Sequence, residues 1–125
     1  MSEVTNIVRY GSKAENLEAL RKEYEEGLKL GESLERLMRN RDFKKVIQDG
    51  FLKDNAARSI KISTNIRMSL EQREAALATA QAAGYFEQYV ESILQLHAKA
   101  KNEIKAIDEE LLAIRNEDEE DGEDY

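Results

Sequence analysis

The chain has 125 residues, 26 acidic and 19 basic, with a formal net charge of −7 and no cysteine, proline or tryptophan. This length is typical of one domain. Without cysteine the chain has no disulfide framework, no thiolate zinc site and no cysteine nucleophile. Because disulfides are typical of secreted proteins, their absence favours an intracellular setting. Abundant Ala, Leu, Glu, Lys, Arg and Gln without proline predict an all-α protein.

The N-terminal part of the chain is expected to be an arm followed by a long helix. Residues 1–11 are polar, end at Gly11 and are predicted to be flexible, with a helical domain over residues 12–115. Ser12 and Glu15 have the spacing of a capping box, which predicts a helix over about residues 13–39. Steps of three and four place one apolar stripe on this helix. The stripe consists of Leu17, Leu20, Tyr24, Gly27, Gly31, Leu34 and Met38.

Three short helices are predicted in the middle of the chain. Asp42 is a candidate N-cap for the first, which Gly50 would close in a left-handed conformation. Asp54 is a candidate N-cap for the second. Ser69 and Gln72 repeat the capping-box spacing, so the third helix is predicted from about Leu70 to Ala83, closed by Gly84.

The second long helix is predicted over about residues 85–115. Its apolar residues recur at steps of four and three over about four heptads, which is typical of a coiled-coil seam. We expect the two long helices to pack antiparallel, with the short helices between them. The alternative is that the stripes pair with another subunit, because a helix longer than its core has apolar surface left over. The partner-binding seam then comprises the first stripe together with Val90, Ile93, His97, Ile104, Ile107 and Leu111.

The negative charge is concentrated at the C-terminal end. No basic residue follows Arg115, and residues 116–125, the acidic tail, are expected to be disordered because like charges repel and apolar residues are few. The tail could cover the basic middle segment, engage a basic partner or keep the protein soluble. Its acidic residues are Glu117, Asp118, Glu119, Glu120, Asp121, Glu123 and Asp124.

The positive charge is concentrated in the middle. Residues 36–73 carry +6, whereas residues 1–35 and 74–115 carry −3 each. We favour a solvated or protein-facing surface here, with nucleic-acid contact as the alternative, since a basic cluster on short helices can contact phosphate. The candidate contacts to phosphate or to an acidic partner are Arg36, Arg39, Arg41, Lys44, Lys45, Lys53, Arg58 and Lys61.

Two further features have a structural and a functional interpretation. Gly27 and Gly31 have small-xxx-small spacing, and they are expected to make room for bulky side chains; the alternative is a close crossing or bend against a partner. His97, the only histidine, is expected to lie hydrogen-bonded on the seam, the alternative being assembly that depends on pH.

No catalytic or metal-binding constellation and no cofactor motif are visible, so an enzyme is not expected. No stretch is apolar enough to cross a membrane, and no secretory signal is evident.

Residues 33–95 resemble small helical proteins of tailed bacteriophages that are encoded among virion-assembly genes. The residues that carry the resemblance are the runs 39–50 and 51–58, Ser69 to Gln72 and Tyr85 to Tyr89. The resemblance implies a role in particle assembly, in the host cytoplasm or in the virion, and it supplies no catalytic residue. We therefore expect a non-enzymatic interaction protein, either a homo-oligomer or a partner of virion components. The alternative is a nucleic-acid-binding or DNA-packaging accessory protein that uses residues 36–73 and is regulated by the tail.

Overall fold

The computed structural model describes residues 12–123, and the side chains of residues 12–119. This part of the chain contains three helices and no strand: α1 (Lys13–Arg39), α2 (residues 41–63) and α3 (Leu70–Glu123). The all-α class is therefore confirmed. The predicted N-terminal arm lies outside the described residues.

Local side-chain caps begin two of the helices where the sequence predicts. At the start of α1, the Ser12 hydroxyl accepts a hydrogen bond from the Glu15 backbone N–H at 3.1 Å. At the start of α3, Ser69 and Gln72 each accept the other's backbone N–H at 3.1 Å. This reciprocal pair satisfies two backbone donors that the first turn leaves without a partner.

The prediction of two short helices before residue 64 is wrong, because α2 is one helical run. It begins with an α-helical turn (Arg41–Phe43), continues as a π-helix (Lys44–Asn55) and ends as an α-helix (Ala56–Ser63). The N-cap is Asn40, whose side chain accepts the Phe43 backbone N–H at 2.9 Å, and not Asp42. Asp54 lies within the run and starts no helix.

Gly50 does not close a helix, since no described glycine has a positive φ. It lies inside the π-helix, where an added Cβ would stand 3.1 Å from the carbonyl oxygen of Lys45, five residues earlier. Glycine therefore relieves crowding against the preceding turn at this position. The left-handed conformation expected for it is absent because the chain continues in the helical direction.

The predicted helices 70–83 and 85–115 are one helix, α3, which passes through Gly84. A glycine inside a helix costs about 1 kcal/mol relative to alanine, which is too little to interrupt strong helix formers on both sides. The helix also continues to Glu123, where a disordered tail was expected. Extending an existing helix needs no new nucleation, which lowers the cost of adding acidic residues at its end.

The chain forms two compact units. The terminal unit comprises Met1–Leu30 with Leu96–Tyr125, and the central unit comprises Gly31–Gln95. The terminal unit is built from the first part of α1 and the last part of α3. The central unit contains the rest of these helices and all of α2. The single domain expected over residues 12–115 stays a prediction.

Two contacts define the packing of the terminal unit. Arg21 forms a two-pronged ion pair with Asp108, with Nε–Oδ1 and Nη2–Oδ2 distances of 2.7 and 3.2 Å, and it also pairs with Glu25. Further along α1, Gly27 meets the side chain of Leu96, which is earlier on α3. Since later residues of α1 meet earlier residues of α3, the helices are antiparallel in this unit. His97, Ala100, Ile104 and Ile107 are buried.

The central unit has a small core. Leu34 of α1, Ser59 of α2, and Ala83 and Ile93 of α3 are its buried side chains among the described residues. Gly31 is also buried. One residue or more from each helix is thus withdrawn from solvent, but no side chain in this set is aromatic.

A pair of alanine substitutions tests the close approach at Gly27. A Cβ there would stand 2.9 Å from Cγ of Leu96, whereas a Cβ on Gly84 would have no neighbour within 4 Å. Gly84→Ala is expected to stabilise the protein by about 1 kcal/mol through helix propensity. Gly27→Ala should be less favourable than Gly84→Ala by about 1–3 kcal/mol, because the added methyl overpacks the contact. Urea unfolding followed by circular dichroism measures both, and equal stabilisation by the two variants would contradict the contact.

The ion pair predicts how stability depends on pH. The hydrogen bond from Arg21 holds the pKa of Asp108 below its ordinary value. Because the folded-state pKa is depressed, the stabilisation is present above the unfolded-state pKa and is lost as the pH falls through the folded-state pKa. Asp108→Asn should therefore lower the thermal midpoint at neutral pH, and the difference from wild type should shrink in acid. Glu109→Gln, an equal change of charge on the neighbouring residue, is the control.

Candidate protein-interaction surface

The central unit exposes more large apolar side chains than it buries. Leu34, Ala83 and Ile93 are its buried apolar residues, whereas nine large apolar residues in its described part are exposed. The exposed fraction reaches 68% for Tyr85, 61% for Tyr89 and 88% for Ile66. Exposed apolar side chains mark an interaction site where they form a contiguous patch, so these nine residues are candidates for a surface that binds another protein. They are Leu37, Val46, Ile60, Ile66, Leu70, Leu77, Tyr85, Phe86 and Tyr89.

All three helices of the central unit line a small cavity, which we call the apolar cavity. Its volume is about 180 Å³, and its wall is almost entirely apolar. Drug-sized ligands and cofactors occupy pockets of about 300–1,000 Å³, so this cavity fits one inserted side chain better than a cofactor. The lining residues are Met38, Phe43, Gln48, Leu52, Phe86, Glu87 and Val90.

The π-helix places the α2 residues that line the apolar cavity. Phe43, Gln48 and Leu52 are separated by five and four residues. In an α-helix this spacing drifts around the axis, because residues repeat every 3.6 positions. Hydrogen bonds between residues five apart widen the turn and bring residues four to five apart onto one face. The widened turn of Lys44–Asn55 therefore aligns the three side chains toward one cavity.

Three exposed cations follow apolar lining residues of α1 and α2 in the sequence, and two exposed acids, Asp49 and Glu91, follow the lining residues Gln48 and Val90. Met38, Phe43 and Leu52 are each followed directly by a basic residue, namely Arg39, Lys44 and Lys53, which we call the basic rim. Lys44 and Lys53 are nine residues apart, or two turns of a π-helix, so they lie on the same side of α2. All three are exposed. Arg39 donates a hydrogen bond to the backbone carbonyl of Glu35.

The predicted phosphate or acidic-partner contacts all belong to the central unit. Every one of the eight is exposed. Arg36 donates to the Ser33 hydroxyl at 3.1 Å. The positive charge predicted from sequence thus stands on the surface of one compact unit. Besides the basic rim, the eight include Arg36, Arg41, Lys45, Arg58 and Lys61.

The predicted seam is largely covered by the chain itself. Ile93, His97, Ile104 and Ile107 are buried on α3, and Gly27, Gly31 and Leu34 on α1. Leu17, Tyr24, Met38, Val90 and Leu111 are half-buried, while Leu20 is 38% exposed. Within the terminal unit the stripes thus serve the contact between α1 and α3. The residues most available to a partner are others, above all Tyr85 and Tyr89, which the seam spacing leaves out.

Two open grooves complete the surface. In the terminal unit, a groove of about 400 Å³ lies between α1 and α3. It is lined by Ala14, Glu18, Leu111, Ile114, Arg115, Asp118 and Glu119. In the central unit, a groove of about 500 Å³ runs between the end of α2 and the start of α3 and includes the buried Ser59. Both grooves are larger and more polar than the apolar cavity. No aromatic side chain lines either groove, whereas Phe43 and Phe86 line the apolar cavity.

The described residues contain neither a metal-binding cluster nor a membrane-spanning helix. No group of three or more His, Asp or Glu side chains in residues 12–119 is arranged to hold a metal ion. None of the helices in this part of the chain has the length and apolar character needed to cross a membrane.

No protein-family model, curated protein or solved structure matches the chain.

Proposed function

We propose that this chain is a non-enzymatic protein–protein interaction factor that works through the surface of its central unit. The observation that carries the proposal is the nine exposed large apolar residues in a unit that buries three apolar residues. Folding leaves this surface in water, and association removes it, which is favourable by roughly 25 cal/mol for each Å² buried. Tyrosine is also among the residues that contribute most to protein interfaces.

The setting we propose is assembly of a bacteriophage particle, in the host cytoplasm or in the virion. It rests on the resemblance of residues 33–95 to small helical proteins encoded among virion-assembly genes. The apolar cavity, the basic rim and both exposed tyrosines lie within that part of the chain. A homo-oligomer is the simplest assembly consistent with this surface, because closed homo-oligomers are the commonest soluble assemblies.

Sedimentation velocity tests the proposal. The wild-type chain is expected to self-associate at tens of micromolar, and Tyr85→Ser/Tyr89→Ser should weaken the association by about tenfold or more, since both rings leave the interface. Leu112→Ser is the matched control, because Leu112 is 55% exposed but belongs to the terminal unit. Helical circular dichroism checks that each variant folds. A clean monomer at every concentration, or equal effects of the two variants, would count against the proposal.

The second candidate function is a nucleic-acid-binding or DNA-packaging accessory role. It is supported by the eight exposed basic residues in the central unit. Lysine and arginine that neutralise phosphates release counterions, so the affinity falls steeply with salt. We expect a labelled DNA or RNA probe to bind at about 50 mM salt and to be released at about 200 mM. Arg41→Ala/Lys45→Ala should weaken this binding for every sequence, and a probe that never binds would exclude the role.

A further inference from the structure

We infer that the apolar cavity of the central unit receives the acidic tail of a second copy of this chain, with Tyr125 inserted and the tail carboxylates on the basic rim. The inference rests on the proposed function and specifies the partner of that surface. It is argued from a cavity with room for one side chain, from exposed cations that follow its lining residues in the sequence, and from a segment of the same chain whose chemistry is complementary to both.

The size of the cavity selects an aromatic side chain. An apolar cavity of about 150 Å³ in a protein core can hold a benzene molecule. The cavity here, at about 180 Å³, has room for one phenol ring, and Phe43 and Phe86 in its wall provide aromatic surfaces for it to pack against. The acidic tail contains one aromatic residue, Tyr125, and its other residues are acidic apart from Asn116 and Gly122.

Charge complementarity selects the same segment. The tail carries −7 and residues 36–73 carry +6. Arg39, Lys44 and Lys53 each follow a cavity-lining apolar residue and extend into solvent. Asp124 and Glu123 directly precede Tyr125 in the sequence. With Tyr125 in the cavity, these two carboxylates would therefore lie near the basic rim. Opposite charges at such a site steer the encounter and fix the orientation of the segment.

Glu87 makes the charge around the cavity uneven, and this limits the direction in which an acidic tail can leave it. It is the acidic residue among the lining side chains and belongs to α3, whereas the rim cations belong to α1 and α2. On α1 and α2 the three rim cations outnumber Asp49, the exposed acid that follows the lining residue Gln48, so an acidic segment is expected to leave the cavity across α1 and α2 and away from Glu87. Removing the charge of Glu87 is therefore expected to strengthen binding of the tail.

A second copy is the occupant because the unit exposes more apolar surface than a tail can cover. Ten tail residues with one aromatic ring would fill the apolar cavity but would leave Ile66, Leu70 and Leu77 in water. A second copy brings its own helices as well as its tail. The tail and the cavity are different surfaces, so the tail of each copy binds the cavity of the next copy. This head-to-tail contact generates a closed ring or an open filament.

Sedimentation of the full chain at low and high salt tests the inference. Tyr125→Ala should weaken self-association by about tenfold, Tyr125→Phe should retain it, and the wild-type association should weaken at high salt. Arg39→Ala/Lys44→Ala/Lys53→Ala should also weaken it. The matched control is Arg58→Ala/Lys61→Ala/Arg67→Ala, which removes three exposed cations of the same unit that do not follow a cavity-lining residue. Glu87→Gln should strengthen association.

The outcomes separate this inference from the proposed function. If self-association is lost in Tyr85→Ser/Tyr89→Ser but unchanged in Tyr125→Ala and in the rim variant, the inference is overturned while the proposed function stands. If the rim variant and its control weaken association equally, the site is not the cavity and the inference is also overturned. The tail could instead fill the cavity of its own chain. An effect of Tyr125→Ala that does not depend on protein concentration would show this and would overturn the second copy as the occupant. A monomer at all concentrations overturns both proposals.

Discussion

The scarcity of buried side chains is the constraint on which the other features of this protein depend. Six apolar side chains are buried among the described residues, none of them aromatic, although apolar residues make up 41% of the chain. The helices are consequently defined by local interactions. Ser12 and Ser69 cap the starts of α1 and α3, and the absence of proline lets α3 continue through Gly84. The same scarcity leaves tyrosine and leucine side chains in water, where association can bury them.

The parts of the fold that depend on neighbouring residues could be predicted from sequence. A capping box requires two side chains three residues apart, so both long helices begin where it predicts. Helix ends were harder to predict, because a glycine ends a helix only if the chain then turns away. At Gly50 and Gly84 the next residues continue the helix, and α2 and α3 each merge segments that the sequence suggested were separate.

The apolar cavity could not be predicted because its geometry depends on a helix with a different period. Steps of three and four residues predict the seam residues Ile93, Ile104 and Ile107, and all three are buried. It cannot group Phe43, Gln48 and Leu52, whose spacing of five and four places them on one face only in a π-helix. The sequence does contain one indication, since Met38, Phe43 and Leu52 are each followed by a cation. These pairs could not be assigned to one cavity from sequence, because the cavity forms only where the three helices pack together.

The interface that we infer for the central unit combines two physical interactions, burial of an aromatic ring and attraction between opposite charges. Burial of an aromatic side chain in a preformed cavity contributes affinity, because the cavity need not open to receive it. Exposed cations contribute little net stability to such a contact, but they speed the encounter and exclude partners of the wrong charge. Tyr125 and the acids before it combine the ring and the charge in one short segment. A surface of this kind selects its partner by the order of residues in a segment, so a polyanion without an aromatic ring would bind weakly, and only at low salt.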